Sequence, residues 1–306
     1  MKEEIKRNIL KGIHALNVGI EFFPRTINSI GYQLKKTKLP TRKYKLGIVT
    51  IIKNEGDYIS EWLQYHKIIG IQRIYIYDNE STDNTKEIIE KYVAQGIVKY
   101  HLIKGKGMQL KAYNDAIKKY KNECEYLAFI DGDEFLVPNM GNKNINDIVK
   151  EIFAQYPKAG GLAVNWQMFG SSGYECKQEG GVIETFLYKA QWGAAGTYCI
   201  KTIADPRKVF KYKQVHYPQY LFPYYNVDES GRKIKGPYNS NQIENPRIMI
   251  NHYFTKSKEE WVRRRNLGMG DDKSGLKRRS IEEFYKHDNN DIFDDTALKC
   301  KFKDKI

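Results

Sequence analysis

Cysteine is scarce in this 306-residue chain, with four, at positions 124, 176, 199 and 300. None forms a Cys-x-x-Cys pair, which excludes a zinc knuckle and argues against a disulfide framework. The expected compartment is the reducing cytoplasm. Long apolar runs are also missing: no stretch approaches the ~20 residues that a membrane span takes. The first residues carry Lys2, Lys6, Arg7 and Lys11 but no compact apolar core with a small-residue cleavage site, so no secretory leader is expected. Internal repeats and low-complexity segments are absent, which sets solenoids and disordered tracts aside.

What is present is a folded chain with an excess of positive charge. Apolar residues make up 41% and aromatic residues 13%, enough for one large α/β domain or two small ones. The net charge is +14, and residues 1–45 hold a surplus of eight, from eleven Lys/Arg against three Glu. Smaller surpluses fall in 201–216 and 255–287, so the rest of the chain is near neutral. Such an excess suits nucleic acid, an anionic membrane surface or phosphorylated substrates. In the N-terminal stretch Ile5, Ile9, Ile13, Leu16 and Ile20 recur at helical spacing between basic residues. That pattern fits a helix lying on a membrane, or one packed on its own domain.

From position 46 the pattern is a regular alternation. The β-branched run 46–52 predicts a buried parallel strand, 57–69 an amphipathic helix stopped at Gly70, and 73–77 a strand ending at Asp78. Ser81, Thr82 and Asp83 offer caps for a helix that Gly96 closes. A strand over 97–103, a helix over 108–121 and a strand over 125–130 follow. Alternation of this kind means an open, mostly parallel sheet with helices on both faces, whose ligands bind at the carboxyl ends of the strands. Asn54, Glu55, Asp78, Asp131 and Asp133 all fall at those ends. Beyond about 150 the rhythm breaks into a stretch rich in Trp and Tyr, including Trp166 and Trp192, whose faces suit sugar rings or an ordinary core.

The strongest chemical signal is Phe129-Ile-Asp131-Gly-Asp133-Glu-Phe135. Two carboxylates flanking a glycine converge on one hard cation and leave room for a diphosphate. Mg²⁺ or Mn²⁺ held there neutralises charge on a departing nucleoside diphosphate. An EF-hand loop is excluded, because Phe135 stands where its third ligand belongs.

Five motifs in order then carry a resemblance: Lys53-Asn54-Glu55; Tyr58-Ile59-x-Glu61-Trp62-Leu63-x-Tyr65-His66-x-x-x-Gly70; Tyr77-Asp78-Asn79-x-Ser81-x-Asp83; Gln109-x-x-Ala112-Tyr113-Asn114; and Asp131-Gly-Asp-Glu-Phe135. They resemble glycosyltransferase family 92 and its bacterial relatives and, more distantly, family 2. The downstream Ile250-Asn251-His252-Tyr253-Phe254-x-x-Ser257-x-Glu259-Glu260 resembles the tail of that group, so the likeness spans about 46–270.

The resemblance implies a GT-A fold, a nucleotide-sugar donor (commonly a UDP-sugar), a divalent metal and inversion at the anomeric carbon. It places Asp78 on the nucleobase, Asn54 and Glu55 against the nucleoside, and Gln109, Asn114 and Asp131 near ribose and diphosphate. Turn, cap and helix-surface roles stand beside each of these. Asp131, Asp133 and His252 are the implied metal ligands, with His216 competing for the third place. Glu184 matches the position of a general base, although Thr185 departs from the Glu-Arg-Phe of relatives, and Asp205 and Asp228 remain alternatives. Lys256, Lys258, Arg263, Arg264 and Arg265 are candidates for gripping a diphosphate or a phosphorylated acceptor, with a solvated helix face as the alternative.

The expected organisation is a basic extension 1–45, a nucleotide-sugar half 46–140, an acceptor half 141–270 and a tail 271–306. The acceptor is expected to be a glycan or lipid-linked glycan of bacterial surface polysaccharide synthesis, met at the inner face of the membrane. A sugar nucleotidyltransferase would carry a Gly-rich phosphate loop after the first strand, and Lys53-Asn-Glu-Gly-Asp57 is too acidic for that. A nucleic-acid-binding protein would spread its charge along one face, whereas half of the surplus here lies in the extension, so no nucleic acid is expected.

Overall fold

Alternate side chains of the central strands go to opposite faces of one sheet, and this decides where the two cores form. The computed structural model describes residues 21–139, 143–264 and 279–302. The helical pattern over 5–20 and Arg265 lie outside the described residues.

Helix α1 covers 21–35. The nucleotide half then alternates as β1 (Tyr44–Ile52), α2 (Ile59–Ile68), β2 (Arg73–Asp78), α3 (Thr85–Ala94), β3 (Val98–Leu102), α4 (Gln109–Tyr120) and β4 (Cys124–Phe129). A second half follows with β5 (Glu134–Pro138), α5 (Ile145–Gln155), β6 (Ala159–Met168), α6 (Val182–Thr185), β7 (Tyr188–Lys189), β8 (Ile200–Ala204) and β9 (Val209–Tyr212). It closes with β10 (Pro218–Tyr220), β11 (Tyr225–Val227), β12 (Lys233–Ile234), β13 (Ile248–His252), α7 (Lys258–Arg264), α8 (Ile281–His287), β14 (Ile292–Phe293) and α9 (Thr296–Lys301).

Strands β3, β2, β1 and β4 lie side by side and parallel, as the apolar runs predict. Ile48, Ile74, Ile76 and Ala128 enter the core under α2, α3 and α5, while Val49, Tyr75, Tyr77 and Phe129 enter the core under α4. Burial of both faces is why these strands read as continuous apolar runs. The second half supplies more of the sheet than its sequence suggests. Strand β8 inserts antiparallel between β4 and β6, with Thr202 opposite both Phe129 and Ala163. Strand β13 pairs parallel with β6 and antiparallel with β5.

These two pairings build the site. The register of β8 sets Lys201 next to the loop that follows Phe129. The register of β13 puts His252 opposite Glu134, one residue beyond Asp133. Gly132 lets that loop cross close over β1, since a Cβ there would meet Ile52 Cγ2 at 3.1 Å. Helix α3 starts later than its cap signals suggest. Ser81 instead accepts the Asn54 backbone N–H at 2.9 Å, and Asp83 Oδ1 accepts the Thr85 N–H at 3.1 Å.

Helix α1 is fastened to the segment 211–224, and Arg42 ion-pairs with Asp205 at 2.6 Å. The described part of the 1–45 extension is therefore packed on the body of the protein.

Candidate functional site

Four carboxylates and four cations converge at the carboxyl ends of β1 and β4. Asp131 leaves β4 with both oxygens engaged. Its Oδ2 takes a bond from Lys201 Nζ at 2.8 Å, and its Oδ1 takes bonds from Gln109 Nε2 at 2.6 Å and Tyr113 Oη at 3.3 Å. Gln109 reaches it because it opens α4, the helix that begins beside this loop. Lys201 has no solvent exposure and also lies 3.5 Å from Glu134 Oε1.

A buried lysine keeps its proton only beside an anion. Burial lowers the Lys201 pKa, but Asp131 and Glu134 outweigh it, so the ammonium is held well above its ordinary range. For Glu134 the balance goes the other way. Burial, Asp131 and Asp133 raise its pKa well above the usual carboxylate range despite Lys201. We therefore regard Asp131 as the principal partner of Lys201, with Glu134 held in surroundings that favour its neutral form.

Asp133 faces a different group of residues. Arg264 Nη2 donates to its Oδ2 at 2.9 Å, and His252 Nε2 stands 3.5 Å from its Oδ1. Burial pushes the Asp133 pKa up, yet His252, Arg264 and Lys256 together hold it well below the carboxylate range. Arg264 also lies 3.8 Å from Glu55, so it links the loop after β1 to the Asp131–Asp133 loop. Lys256 is buried, has a left-handed backbone (φ +53°), and rests over the Tyr58 ring at 4.3 Å. Arg279 lies half-buried near them, over Phe254 and Trp261.

The two histidines flank Trp166, with ring centroids at 4.3 Å for His252 and 5.2 Å for His216. His216 is tied through Nδ1 to the Ile200 carbonyl at 2.9 Å, and burial, with Lys201 nearby, lowers its pKa to about 4. His252 Nδ1 is buried without a hydrogen-bond partner. No group of three or more His, Cys, Asp or Glu side chains is gathered tightly enough for a metal among the described residues. Asp133 and His252 nonetheless fit a divalent cation as a pair, one carboxylate and one imidazole already facing each other. Asp131 would join them only on giving up Lys201.

The remaining expected residues divide into two groups. Asn54, with φ of +54°, accepts the Thr82 N–H at 2.8 Å and holds the turn after β1 against the turn after β2. Asp78 is buried at the end of β2, taking bonds from the Ser81 N–H and Tyr100 Oη, both at 2.8 Å. Asn114 is used elsewhere: its amide both accepts from Tyr212 N at 2.8 Å and donates to Tyr212 O at 2.9 Å, fastening β9 to α4. Glu184 sits on α6 in an ion pair with Lys301 at 2.9 Å, which also holds Glu61. It shares no hydrogen bond or ion pair with Asp131, Asp133 or His252 among the described residues. Asp205 is paired with Arg42 and Lys208, and Asp228 closes its own turn through Ser230 and Arg232. Lys201, Glu134 and the burial of Arg264 were not anticipated. A single lysine inside the apolar run Ile200-Lys-Thr-Ile203 was the available signal for the first.

Comparison with known proteins bears on this arrangement. The model of glycosyltransferase family 92 matches residues 50–284. A glycosyltransferase family 92 protein of Ricinus communis is 26% identical over 287 residues, covering 91% of this chain and 52% of its own length. Another from Oryza sativa subsp. japonica is 30% identical over 134 residues, covering 43% of this chain and 22% of its own. The chain thus spans about half or less of the length of these relatives. Among solved structures, residues 1–349 of S. aureus TarS in complex with UDP-GlcNAc align with a TM-score of 0.37 at 17% identity, over 65% of this chain and 62% of that one.

Proposed function

Because this chain belongs to glycosyltransferase family 92, we propose that it moves a sugar from a nucleotide-sugar, with UDP-sugars the first donors to try, to a glycan or lipid-linked glycan acceptor. The transfer is proposed to invert the anomeric carbon and to use Mn²⁺ or Mg²⁺, with bacterial surface polysaccharide as the product class. The observation that carries this reading is the convergence of Glu55, Asp131, Asp133 and His252 with Lys201, Lys256 and Arg264 at the carboxyl ends of the parallel strands. Ligands of open α/β sheets bind at that edge.

Asp133 and His252 would hold the metal, with Asp131 as the further ligand. When bound, the metal neutralises charge on the leaving diphosphate. The protein's own cations do the rest. Arg264 is mostly buried and bonded to Asp133, and Lys256 is buried beside it, so a diphosphate entering here would meet donors already largely desolvated. Gln109 would keep its hold on the Asp131 carboxylate while Lys201 releases it toward the metal. Asp78 has lone pairs beyond those that Ser81 and Tyr100 use, and these serve a nucleobase N–H. Asn54 and Glu55 hold the turn against which the nucleoside lies.

No helix among the described residues is long and apolar enough to cross a membrane. A place on the inner face of the cytoplasmic membrane, where lipid-linked glycans are presented, is part of the proposal. The reading is tested by a panel of nucleotide-sugars assayed for nucleoside diphosphate release, with Mn²⁺ or with EDTA. Metal-dependent release from at least one donor is expected. Undiminished release in EDTA would remove the metal from the proposal, and no release from any donor would remove the transfer.

A further inference from the structure

Helix α1 is held to the protein along one side only. Arg25 Nε donates to the Tyr220 carbonyl at 2.5 Å, Ser29 Oγ accepts the Phe222 N–H at 2.8 Å, and Gln33 Nε2 donates to Tyr224 Oη at 3.2 Å. Tyr32 packs edge-on against Tyr224, and Glu21 is ion-paired with Lys211 and Lys213. These contacts leave the other side bare. Phe23, Ile27, Ile30 and Leu34 are 72%, 68%, 56% and 74% exposed. Spaced at i, i+4, i+7 and i+11, they form one stripe along the helix. Single exposed apolar residues are ordinary, but an aligned row on a fixed helix marks an interaction surface.

The charge around the stripe says what it meets. A cavity of about 570 Å³ opens between α1, α4 and the segment 207–221. Its charged lining is Lys35, Lys118, Lys121 and Arg207, with no acidic residue. Lys35, Lys118 and Lys121 have no ion-pair partner within 4 Å among the described residues. Lys36 and Lys38 follow directly in the chain. A second copy of this chain would bring the same cations against one another. An anionic bilayer offers the stripe an apolar interior and the lysines a layer of phosphates.

We propose that the outer face of α1, with the lysine-lined cavity beside it, docks this protein on an anionic bilayer. This rests on the reading that the acceptor is presented at a membrane. Helix α4 then connects the two surfaces: Lys118 and Lys121 mark its docking end, and Gln109 at the other end holds Asp131. Because α1 is pinned to the body, docking orients the whole site rather than merely tethering it. The surface lies C-terminal to the 5–20 pattern, in residues whose packing the structure shows.

The test uses the full chain and vesicles of phosphatidylcholine with or without phosphatidylglycerol. Co-sedimentation is expected only with phosphatidylglycerol and should weaken as salt rises. Replacing Phe23, Ile27, Ile30 and Leu34 together by serine should lower vesicle binding by roughly tenfold or more. Thermal unfolding and donor turnover in solution should stay as in the parent, because these side chains are mostly exposed. Lys118→Glu with Lys121→Glu should also weaken binding, and Phe23→Trp should give a blue-shifted emission on the vesicles. Unchanged binding of the serine variant would overturn the proposal, as would equal binding to phosphatidylcholine alone. A parent that dimerises through the stripe, with no vesicle binding, would overturn it in favour of a second copy. Absent donor turnover would count against the proposed function instead, since vesicle binding is read without a donor.

Discussion

Replacing Lys201 by methionine removes one charge from the centre of the site while keeping most of the side chain's packing. The ammonium has no solvent exposure and stands 2.8 Å from Asp131 Oδ2 and 3.5 Å from Glu134 Oε1. Removing one partner of a buried ion pair costs ~3–5 kcal/mol, because the other charge stays desolvated and unpaired. Asp131 is partly open to water and keeps Gln109, so the lower half of that range is expected for Lys201→Met.

The pH dependence follows from Glu134. Its raised pKa means that its contribution to stability is complete below the ordinary value of 4.5 and is lost as pH rises through the folded-state value. Without Lys201 to offset that burial, the deficit of the variant should be smaller at pH 5 than at pH 8. Adding Glu134→Gln should restore part of the loss, about 1–2 kcal/mol, as a coupled pair does in a double-mutant cycle. Urea unfolding followed by tryptophan fluorescence reads all four proteins. A Lys201→Met cost under about 1 kcal/mol, or a double variant no more stable than the single one, would refute the buried-pair reasoning.

Two further substitutions separate binding residues from structural ones. Asn114→Ala removes the bonds that join α4 to the Tyr212 backbone, so stability should fall by about 2–3 kcal/mol, with donor KM within about twofold of the parent. A large KM change with normal stability would return Asn114 to the donor site. Glu184→Gln should leave transfer within about twofold, since its carboxylate is engaged with Lys301. A fall of the ~10²–10⁴-fold typical of a lost general base would reinstate it as the base.

How far the sequence reached is clearest strand by strand. Strands β1 to β4 were legible because each is a short β-branched run buried on both faces, and Asp78 and Asp131 follow directly from where such strands stop. The insertion of β8 between β4 and β6 was not legible, because antiparallel pairing over some seventy residues leaves no local pattern. Lys201 was missed with it. Arg264 could be named only among neighbouring basic residues of one helix: Arg263 is largely exposed, whereas Arg264 turns inward to Asp133. Nothing in their spacing distinguished them, since burial came from a strand far away in sequence. Asn114 was read from a motif whose helix was correctly placed, but its side chain is engaged by β9, an element whose position the motif does not encode.

The central claim is that Asp133 couples a divalent metal to a nucleoside diphosphate at this strand edge. Isothermal titration of UDP into the protein, with and without saturating Mn²⁺, measures that coupling directly, with no acceptor or sugar to identify. The account predicts that Mn²⁺ tightens UDP binding by about 5–150-fold, the range of an ordinary coupling free energy, and that Asp133→Ala abolishes the gain while residual metal-free binding survives. Equal UDP affinity with and without Mn²⁺, or a full Mn²⁺ effect in Asp133→Ala, would contradict it.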